Sequence, residues 1–248
     1  MNPVNGNLIQ TLGIQPGITA IIGSGGKSTL LRALGLELMQ SGAHVLLATS
    51  THMFPVAGIP WEGGSRRLSV PPWRAALSHL PGCTCEACAG ITRGTICQTG
   101  TLDAATGKLS APSEPFEALA ARFDYVLVEA DGSKRLPLKA HAAWEPVVPD
   151  ASVDVLWVVG ASGLGRPIAE AVHRPDLFCQ RCGAVPGDTA TPERVGTVLA
   201  REMRLSELKG ARILLNQIDT LADPYRDAAA RLERMAQQPV TPLCLDPR

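Results

Sequence analysis

A glycine-rich turn between an apolar run and a helical pattern constrains the fold of this chain more than any other feature. Residues Ile18–Ile22 are apolar or β-branched and end at a glycine, which predicts a short buried strand. Leucines at positions 30, 31, 34 and 38 recur at helical spacing and predict a helix over Ser28–Gln40. The sequence Gly-Ser-Gly-Gly-Lys-Ser-Thr joins the two at residues 23–29. A strand, a turn and a helix in this order predict an α/β fold.

The same turn has the chemistry of a phosphate-binding loop. Its three glycines let successive backbone N–H groups point into one concavity, and the helix N-terminus adds partial positive charge. We expect Lys27 to neutralise the outer phosphates of a nucleotide and the Ser28 hydroxyl to reach Mg²⁺. The residues expected to hold the nucleotide are Gly23, Ser24, Gly25, Gly26, Lys27, Ser28 and Thr29.

The turn departs from the common phosphate-binding pattern in one position. The pattern G-x-x-x-x-G-K-[ST] requires glycine at position 21, where this chain has Ile21. The shorter form found here is comparable to the G-T-N-G-K-[ST] loop of the Mur-type peptide ligases. A glycine turn without a ligand is the alternative, but the predicted strand and helix on either side favour a nucleotide site.

Composition and charge exclude several classes of function. Lys plus Arg and Asp plus Glu number 23 each, so no excess of charge indicates binding to nucleic acid or to an anionic membrane. No apolar run approaches the roughly 20 residues of a membrane span, and the N-terminal segment lacks the features of a secretory signal. We therefore expect a cytoplasmic protein.

Five short apolar runs are spaced along the chain as expected for the strands of one parallel sheet. Each run is continuous rather than alternating, and helical patterns over Pro192–Met203 and Pro224–Met235 flank the last one. We predict an α/β fold with a doubly wound, mostly parallel sheet of the P-loop NTPase type, as a single domain over residues 1–248. The runs are Ile18–Ile22, Val45–Ala48, Tyr125–Val128, Val155–Val159 and Ile213–Leu215.

Residues 53–110 fit this alternation less well. The segment is rich in Pro and Gly and contains short strand-like pieces such as Gly94–Gln98. Thr101–Asp103 and Lys108–Leu109 are expected to pair as a hairpin. We predict an α+β lobe inserted between the second and third core strands, over the nucleotide site. A mobile lid without stable structure is the alternative.

Two carboxylates follow the third apolar run. Glu129 and Asp131 are two residues apart, so on an extended strand both side chains point to the same side. Buried carboxylates need a cation or donors to pair with. We expect Asp131 to hold Mg²⁺ and Glu129 to activate the attacking group, although the reverse assignment fits the pattern nearly as well. Together with Lys27, these are the expected catalytic residues.

Hydroxyl groups follow the second apolar run at the same edge of the predicted sheet. Thr49 and Thr51 could complete the Mg²⁺ shell or sense the terminal phosphate, and capping of the turn is an equally good interpretation. His52 is a candidate acid–base group because its ordinary pKa is close to neutrality.

Basic residues follow the carboxylate pair. Lys134, Arg135 and Lys139 suggest a surface for an anionic substrate or phosphate, with solvated loop charges as an equal alternative. Arg174 could act as an arginine finger, although a lone loop arginine is more often a surface residue.

The last apolar run ends in Asn-Gln-Ile-Asp. Many G-proteins have Asn-Lys-x-Asp in this position, where the aspartate pairs with guanine. Here Asn216 and Asp219 are retained, and we expect them to contact the base of the nucleotide. Gln217 replaces the lysine, so the sequence leaves ATP and GTP both open. Asx residues at the end of a strand also occur without any ligand.

Two groups of cysteines are candidates for a zinc site. Cys83, Cys85 and Cys88 are closely spaced, and Cys179 and Cys182 form a C-x-x-C pair. The two groups lie far apart in the sequence, and the total of seven cysteines is odd. Ordinary reduced thiols are therefore the leading interpretation, and structural zinc is the alternative.

These motifs together resemble the YqeC family, over about residues 15 to 235. Its members are described as accessory factors for selenium-dependent molybdenum hydroxylases or as selenium cofactor biosynthesis proteins. The resemblance implies a cytoplasmic bacterial maturation factor that binds a nucleoside triphosphate, and it implies no role for the cysteine cluster. The motifs that carry it, in chain order, are Ile-Ile-Gly-Ser-Gly-Gly-Lys-Ser-Thr, Thr-Ser-Thr-His-Met, Val-Glu-Ala-Asp-Gly-Ser, Pro-Leu-Lys-Ala, Glu-Pro-Val-Val-Pro, Val-His-Arg-Pro and Leu-Leu-Asn-Gln-Ile-Asp.

Three functions are consistent with the sequence. The leading hypothesis is a Mg²⁺-dependent NTPase that acts on ATP or GTP and drives maturation or cofactor loading of a molybdenum hydroxylase. The second is a phosphotransferase or Mur-like ligase with a small anionic acceptor. The third is a non-catalytic carrier or scaffold that binds nucleotide as a conformational signal. The sequence predicts no particular oligomeric state.

Overall fold

A central sheet of seven parallel strands organises the part of the chain that the computed structural model describes, residues 7–61, 94–204 and 208–245. The strands are β1 (Gly17–Gly23), β2 (His44–Thr49), β3 (His52–Met53), β4 (Thr95–Gln98), β5 (Leu102–Asp103), β6 (Lys108–Ser110), β7 (Tyr125–Glu129), β8 (Leu138–Lys139), β9 (Ser152–Gly160), β10 (Val172–His173), β11 (Arg212–Asn216) and β12 (Val240–Pro242). The helices are α1 (Leu8–Leu12), α2 (Lys27–Gln40), α3 (Phe116–Ala120), α4 (Ile168–Ala171), α5 (Pro175–Cys182), α6 (Pro192–Glu202) and α7 (Ala228–Ala236).

The order of strands in this sheet is β12-β11-β9-β1-β7-β2-β4, and every neighbouring pair is parallel. The first strand, β1, lies in the middle of the sheet. Strands β7, β2 and β4 lie on one side of it, and β9, β11 and β12 lie on the other. Helices α1 and α2 pack on one face, and α5, α6 and α7 pack on the other. The prediction of a doubly wound, mostly parallel α/β fold is therefore confirmed.

Alternation along β1 separates the two cores. Ile21 is wholly buried with the leucines of α2, whereas Ala20 and Ile22 are buried on the opposite face with α6 and α7. Position 21 is therefore a core position inside a strand that continues to Gly23. The longer loop pattern has its first glycine at position 21, where its turn begins. Here the strand continues through that position and the turn begins at Gly23, so no glycine is needed there.

Two predicted elements need correction. Thr95–Gln98, assigned from the sequence to the inserted lobe, is the edge strand β4 and pairs with β2 along four residues. The helix predicted over Pro224–Met235 begins only at Ala228, because a separate 3₁₀ turn at Asp223–Tyr225 precedes it and Asp227 is not helical. The other five predicted core strands and the two other predicted helices agree with the structure to within three residues at each end, whereas β12 and helices α1, α3, α4 and α5 of the described structure were not predicted.

The remaining described part of the insertion forms a small antiparallel sheet of order β3-β6-β5. The predicted hairpin is confirmed, with Leu102 opposite Leu109 and Asp103 opposite Lys108. The three closely spaced cysteines at 83, 85 and 88 lie outside the described residues. In the described part of the chain, no helix has the length and apolar character needed to cross a membrane.

Candidate functional site

The turn between β1 and α2 has a backbone that only glycine accommodates. Gly23, Gly25 and Gly26 have φ values of 90°, 77° and 122°. A Cβ at Gly25 would lie 2.2 Å from the Cα of Gly160, and one at Gly26 would lie 2.3 Å from Nδ2 of Asn216. The glycines are therefore required both by conformation and by close packing of this loop against β9 and β11.

Asn216, at the end of β11, braces this loop. Its Nδ2 donates to the Gly25 carbonyl over 2.9 Å, and its Oδ1 accepts from the Leu245 amide over 3.1 Å. Asp219 is exposed in a 3₁₀ turn and lines a separate cavity of about 420 Å³. The structure thus does not bring the two predicted base-contacting residues together.

Lys27 begins α2 and is buried, with 4% of its surface exposed. Its Nζ donates to the Gly23 carbonyl over 2.7 Å and lies 3.2 Å from Oδ1 of Asp131 and 4.0 Å from Oε1 of Glu129. The structure therefore brings together the three residues predicted to be catalytic. The parallel pairing of β1 with β7 places both carboxylates beside the glycine loop.

The carboxylate that faces Ser28 is Glu129, not Asp131 as the sequence led us to expect. Ser28 Oγ donates to Glu129 Oε2 over 2.8 Å, whereas Asp131 Oδ2 accepts from the Gly23 amide over 2.9 Å. The expectation assumed one extended strand, but β7 ends at Glu129. Asp131 lies two residues beyond the end of the strand, and the two carboxylates face different partners.

The two carboxylates also differ in their electrostatics. Burial raises the pKa of Glu129 above its ordinary value, although Lys27 and Ser28 favour its charged form. Burial acts in the same direction on Asp131, but Lys27, His141 and Lys139 outweigh it and hold the pKa of Asp131 well below its ordinary value. Asp131 is thus a firmly charged group surrounded by cations and donors.

A chain of polar groups extends from the buried Asp131 to the half-buried Arg181. His141 Nε2 lies 2.8 Å from Asp131 Oδ2, and its Nδ1 lies 2.5 Å from Glu202 Oε2. Arg181 bonds the same glutamate and donates to the His141 carbonyl over 2.7 Å. Burial lowers the pKa of His141 below its ordinary value, against the opposing effect of Asp131.

Sequence reasoning missed this chain and assigned His141 no role. A glutamate at the end of an amphipathic helix ordinarily points to solvent, yet Glu202 is only 1% exposed. His141 and Glu202 are 61 residues apart, and no local pattern links them. The only signal was the cluster of polar residues that follows Asp131.

A cavity of about 460 Å³ opens beside the glycine loop and is lined by Ser28, Glu129, His52 and Phe54 among others. Lys134 and Arg135, predicted to bind an anion, line this cavity. Among the described residues, its acidic lining is Glu129 alone. The cationic residues of its lining are Lys27, Lys108, Lys134, Arg135 and Arg166.

Lys139 does not line the cavity, although the sequence grouped it with these residues. Its Nζ is buried between Asp131 Oδ2 at 3.0 Å and Glu145 Oε2 at 3.1 Å. Arg174, the candidate arginine finger, also lies outside the cavity lining and pairs with Glu145 at 3.0 Å. Lys139 thus pairs with the buried Asp131 and the half-buried Glu145, and Arg174 pairs with Glu145.

A hydroxyl group at the end of β2 supports Glu129 through its backbone. Thr49 Oγ1 is buried and donates to the Glu129 carbonyl over 2.7 Å, and the Thr51 amide donates to Thr49 Oγ1 over 3.1 Å. Neither threonine lines the cavity. Of this run, His52 does reach the cavity, from strand β3.

The described cysteines show no zinc site. Cys179 and Cys182 lie on α5 as free thiols, and burial raises the pKa of each thiol. Within residues 7–61, 94–204 and 208–245, no group of three or more His, Cys, Asp or Glu side chains is arranged to hold a metal ion.

Comparison with known proteins gives two findings. The sequence profile of the family described as "YqeC protein" matches residues 19–176, a range that includes the glycine loop, both carboxylates and His141. A protein of Escherichia coli (strain K12), described as "Uncharacterized protein YqeC", is 32% identical over 199 residues, which cover 73% of this chain and 68% of that relative. This chain belongs to the YqeC family.

Proposed function

We propose that this protein is a Mg²⁺-dependent nucleoside triphosphate-binding protein of the P-loop type that hydrolyses its ligand. The observation that carries the proposal is the arrangement around the glycine loop, where Lys27, Ser28 and Glu129 line one cavity. A cavity of about 460 Å³ falls within the usual range for small-molecule sites. Its excess of cations over acids suits a polyphosphate.

The backbone amides from Gly23 to Ser28 and the Lys27 ammonium group are proposed to bind the phosphates. The positive φ values in the loop and the N-terminus of α2 are the backbone features that such a site needs. In the described structure Lys27 Nζ bonds Gly23 and Asp131. We expect it to leave Asp131 when a phosphate enters.

Ser28 and Glu129 are the residues we propose to hold Mg²⁺. Both offer oxygen ligands, their oxygens lie 2.8 Å apart, and both line the cavity. Asp131 and Thr49 fit this role less well, because the Thr49 hydroxyl and the Asp131 carboxylate are buried away from the cavity. Magnesium bound there would neutralise phosphate charge during transfer. The proposed assignment therefore moves the magnesium role from Asp131 to Glu129.

The biological role we propose follows from the family resemblance. The nucleotide cycle would serve maturation or cofactor loading of a selenium-dependent molybdenum hydroxylase in the cytoplasm. An in vitro assay with the unloaded hydroxylase, its cofactor, this protein and nucleotide tests that role. Hydroxylase activity that appears without the nucleotide, or without this protein, would contradict it.

Nucleotide binding is tested with Lys27→Ala. Calorimetry and thermal unfolding with ATP and GTP, each with and without Mg²⁺, should show binding and stabilisation of the unaltered chain. At a ligand concentration 100 times Kd the gain in unfolding free energy is about 2.7 kcal/mol. Lys27→Ala should lose this gain, whereas Lys209→Ala, which changes an exposed lysine, should retain it. Equal binding by Lys27→Ala and the unaltered chain would contradict the proposal.

The same titration decides between adenine and guanine. We keep Asp219 as a proposed base contact, to be tested by Asp219→Ala. Asn216 is a weaker candidate, because its amide already bonds Gly25 and Leu245. A preference for one base that disappears in Asp219→Ala would support the assignment.

Group transfer to an anionic acceptor is the second candidate function. It is favoured by Lys134 and Arg135, which line the same cavity as Lys27 and pair with no carboxylate in the described residues. Release of phosphate from nucleotide and Mg²⁺ alone would support hydrolysis. Release that requires an added acceptor would support transfer, and binding without any turnover would support a carrier.

A further inference from the structure

The groups that approach Asp131 are unevenly distributed between its two carboxylate oxygens. The Gly23 amide, Lys139 and His141 approach Oδ2 at 2.9, 3.0 and 2.8 Å. Lys27 lies at the other oxygen, Oδ1, at 3.2 Å, and this buried atom receives no well-formed hydrogen bond. Of these partners, Lys27 therefore makes the weakest contact with Asp131 and is the one best placed to leave it.

Departure of Lys27 would leave Asp131 charged and completely buried. A buried carboxylate that loses its cation is strongly destabilised unless other donors remain in place. His141 and Lys139 remain at Oδ2 and can hold the charge. The ease with which Lys27 leaves Asp131 thus depends on how firmly these two residues keep their positions.

His141 is held in its position from the far side. The ring is wholly buried, its Nδ1 lies 2.5 Å from Glu202, and its backbone N–H donates to the same carboxylate over 3.1 Å. Arg181 in turn bonds Glu202 and the His141 carbonyl. The imidazole therefore cannot turn away from Asp131 without also losing its contact with the buried Glu202.

We propose that His141, oriented by Glu202, is a positioning residue for Lys27. It stays on Asp131 when Lys27 leaves, and so sets how readily the lysine transfers from that carboxylate to a phosphate. Asp131 is then a buried counter-ion and not a magnesium ligand. The inference rests on the proposed nucleotide binding and adds three residues to its site, namely His141, Glu202 and, as counter-ion, Asp131.

The test compares His141→Leu with His141→Gln in the full chain. Leucine cannot donate to Asp131, so Lys27 should be retained there and Kd for the preferred Mg²⁺–nucleotide should rise about tenfold. Glutamine keeps an N–H donor and should hold Kd within about threefold of the unaltered chain. His173→Gln is the matched control: His173 is 8% exposed, touches Asp131 in no described contact, and should leave Kd unchanged.

A second background separates positioning from simple loss of structure. In Lys27→Met there is no lysine to transfer, so adding His141→Leu should leave the residual Kd unchanged. If Lys27→Met binds too weakly to measure, Asp131→Asn serves as the background, because it has no carboxylate to retain the lysine. If His141→Leu raises Kd by the same factor in the background variant as in the otherwise unaltered chain, the inference is overturned. If His141→Leu does not fold, Glu202→Gln carries the test, with a rise in Kd of several-fold expected.

The outcomes distinguish this inference from the function on which it rests. An unaltered chain that binds neither ATP nor GTP overturns both. If the unaltered chain binds nucleotide and the Kd of His141→Leu is within twofold of its Kd, only the positioning role is overturned. Loss of Mg²⁺-dependent binding in Asp131→Asn, with full retention in Glu129→Gln, would identify Asp131 as the magnesium ligand and likewise overturn the inference.

Discussion

At the scale of single residues, close approach decides what the glycine loop tolerates. Three of its positions combine a positive φ with a neighbouring atom within 2.3 Å of a hypothetical Cβ. At Gly26 that neighbour is the Asn216 amide, which also bonds the Gly25 carbonyl. A methyl group there would push away the side chain that braces the loop.

Gly26→Ala should therefore weaken nucleotide binding while leaving most of the fold intact. We expect Kd to rise on the order of tenfold or more, because a non-glycine residue at this φ is strained and the brace is displaced. Calorimetry with the preferred Mg²⁺–nucleotide measures the change. Gly187→Ala is the control, since Gly187 is exposed and a Cβ there meets nothing within 4 Å. Unaltered affinity in Gly26→Ala would show that the loop does not hold phosphate in this conformation.

At the scale of elements, α2 both begins the site and fills one core. Its N-terminus carries Lys27 and Ser28, and its leucines pack on β1, β2 and β7. The same helix holds the N-terminal segment, because Glu37 accepts hydrogen bonds from the amides of Leu8 and Ile9 at 2.8 and 2.9 Å. The position of the loop amides thus depends on how α2 sits on the sheet.

Leu34→Ala should lower stability by removing a wholly buried side chain from the middle of α2. Cavity formation of this kind costs about 2–5 kcal/mol of unfolding free energy. Urea denaturation should show a lower midpoint with an unchanged slope. Gln40→Ala, at an exposed position of the same helix, should change the free energy by less than about 0.5 kcal/mol. A loss in Leu34→Ala no greater than in Gln40→Ala would contradict the packing described for α2.

At the scale of the whole molecule, β8 and β10 join the segment after Asp131 to the segment before α5. Lys139 of β8 pairs with the buried Asp131 and the half-buried Glu145, and His141 bonds Glu202 of α6. His173 lies on β10 beside them, and burial, with Lys139 and Arg174 nearby, lowers its pKa from 6.5 to about 4. The stability of the whole fold should therefore depend on acidity.

The sign of this dependence follows from the lowered pKa of His173. Below about pH 6.5 His173 binds a proton in the unfolded chain, whereas in the folded chain it binds one only below about pH 4. The free energy of unfolding should fall as the pH drops through this window. Urea titrations at several pH values should show the fall, and His173→Gln should reduce its slope. An identical slope in His173→Gln would assign the dependence to other groups.

The amino-acid sequence by itself determined the fold class, five of the seven described core strands and the glycine loop, and it identified Lys27, Ser28 and the carboxylate pair. These features depend on neighbours within a few residues, where alternation, helical spacing and glycine backbone freedom act. The hairpin over residues 102–110 was predictable for the same reason.

Only the tertiary structure decided which side chains meet across the sheet. It placed Glu129 and not Asp131 against Ser28, and it used Asn216 to brace the loop. It also buried His141 and Glu202 together, although 61 residues separate them. Strand order, register and the end of β7 determine such contacts, and they result from packing of the whole chain. A pattern of neighbouring residues contains no information about which distant partner will satisfy a buried charge.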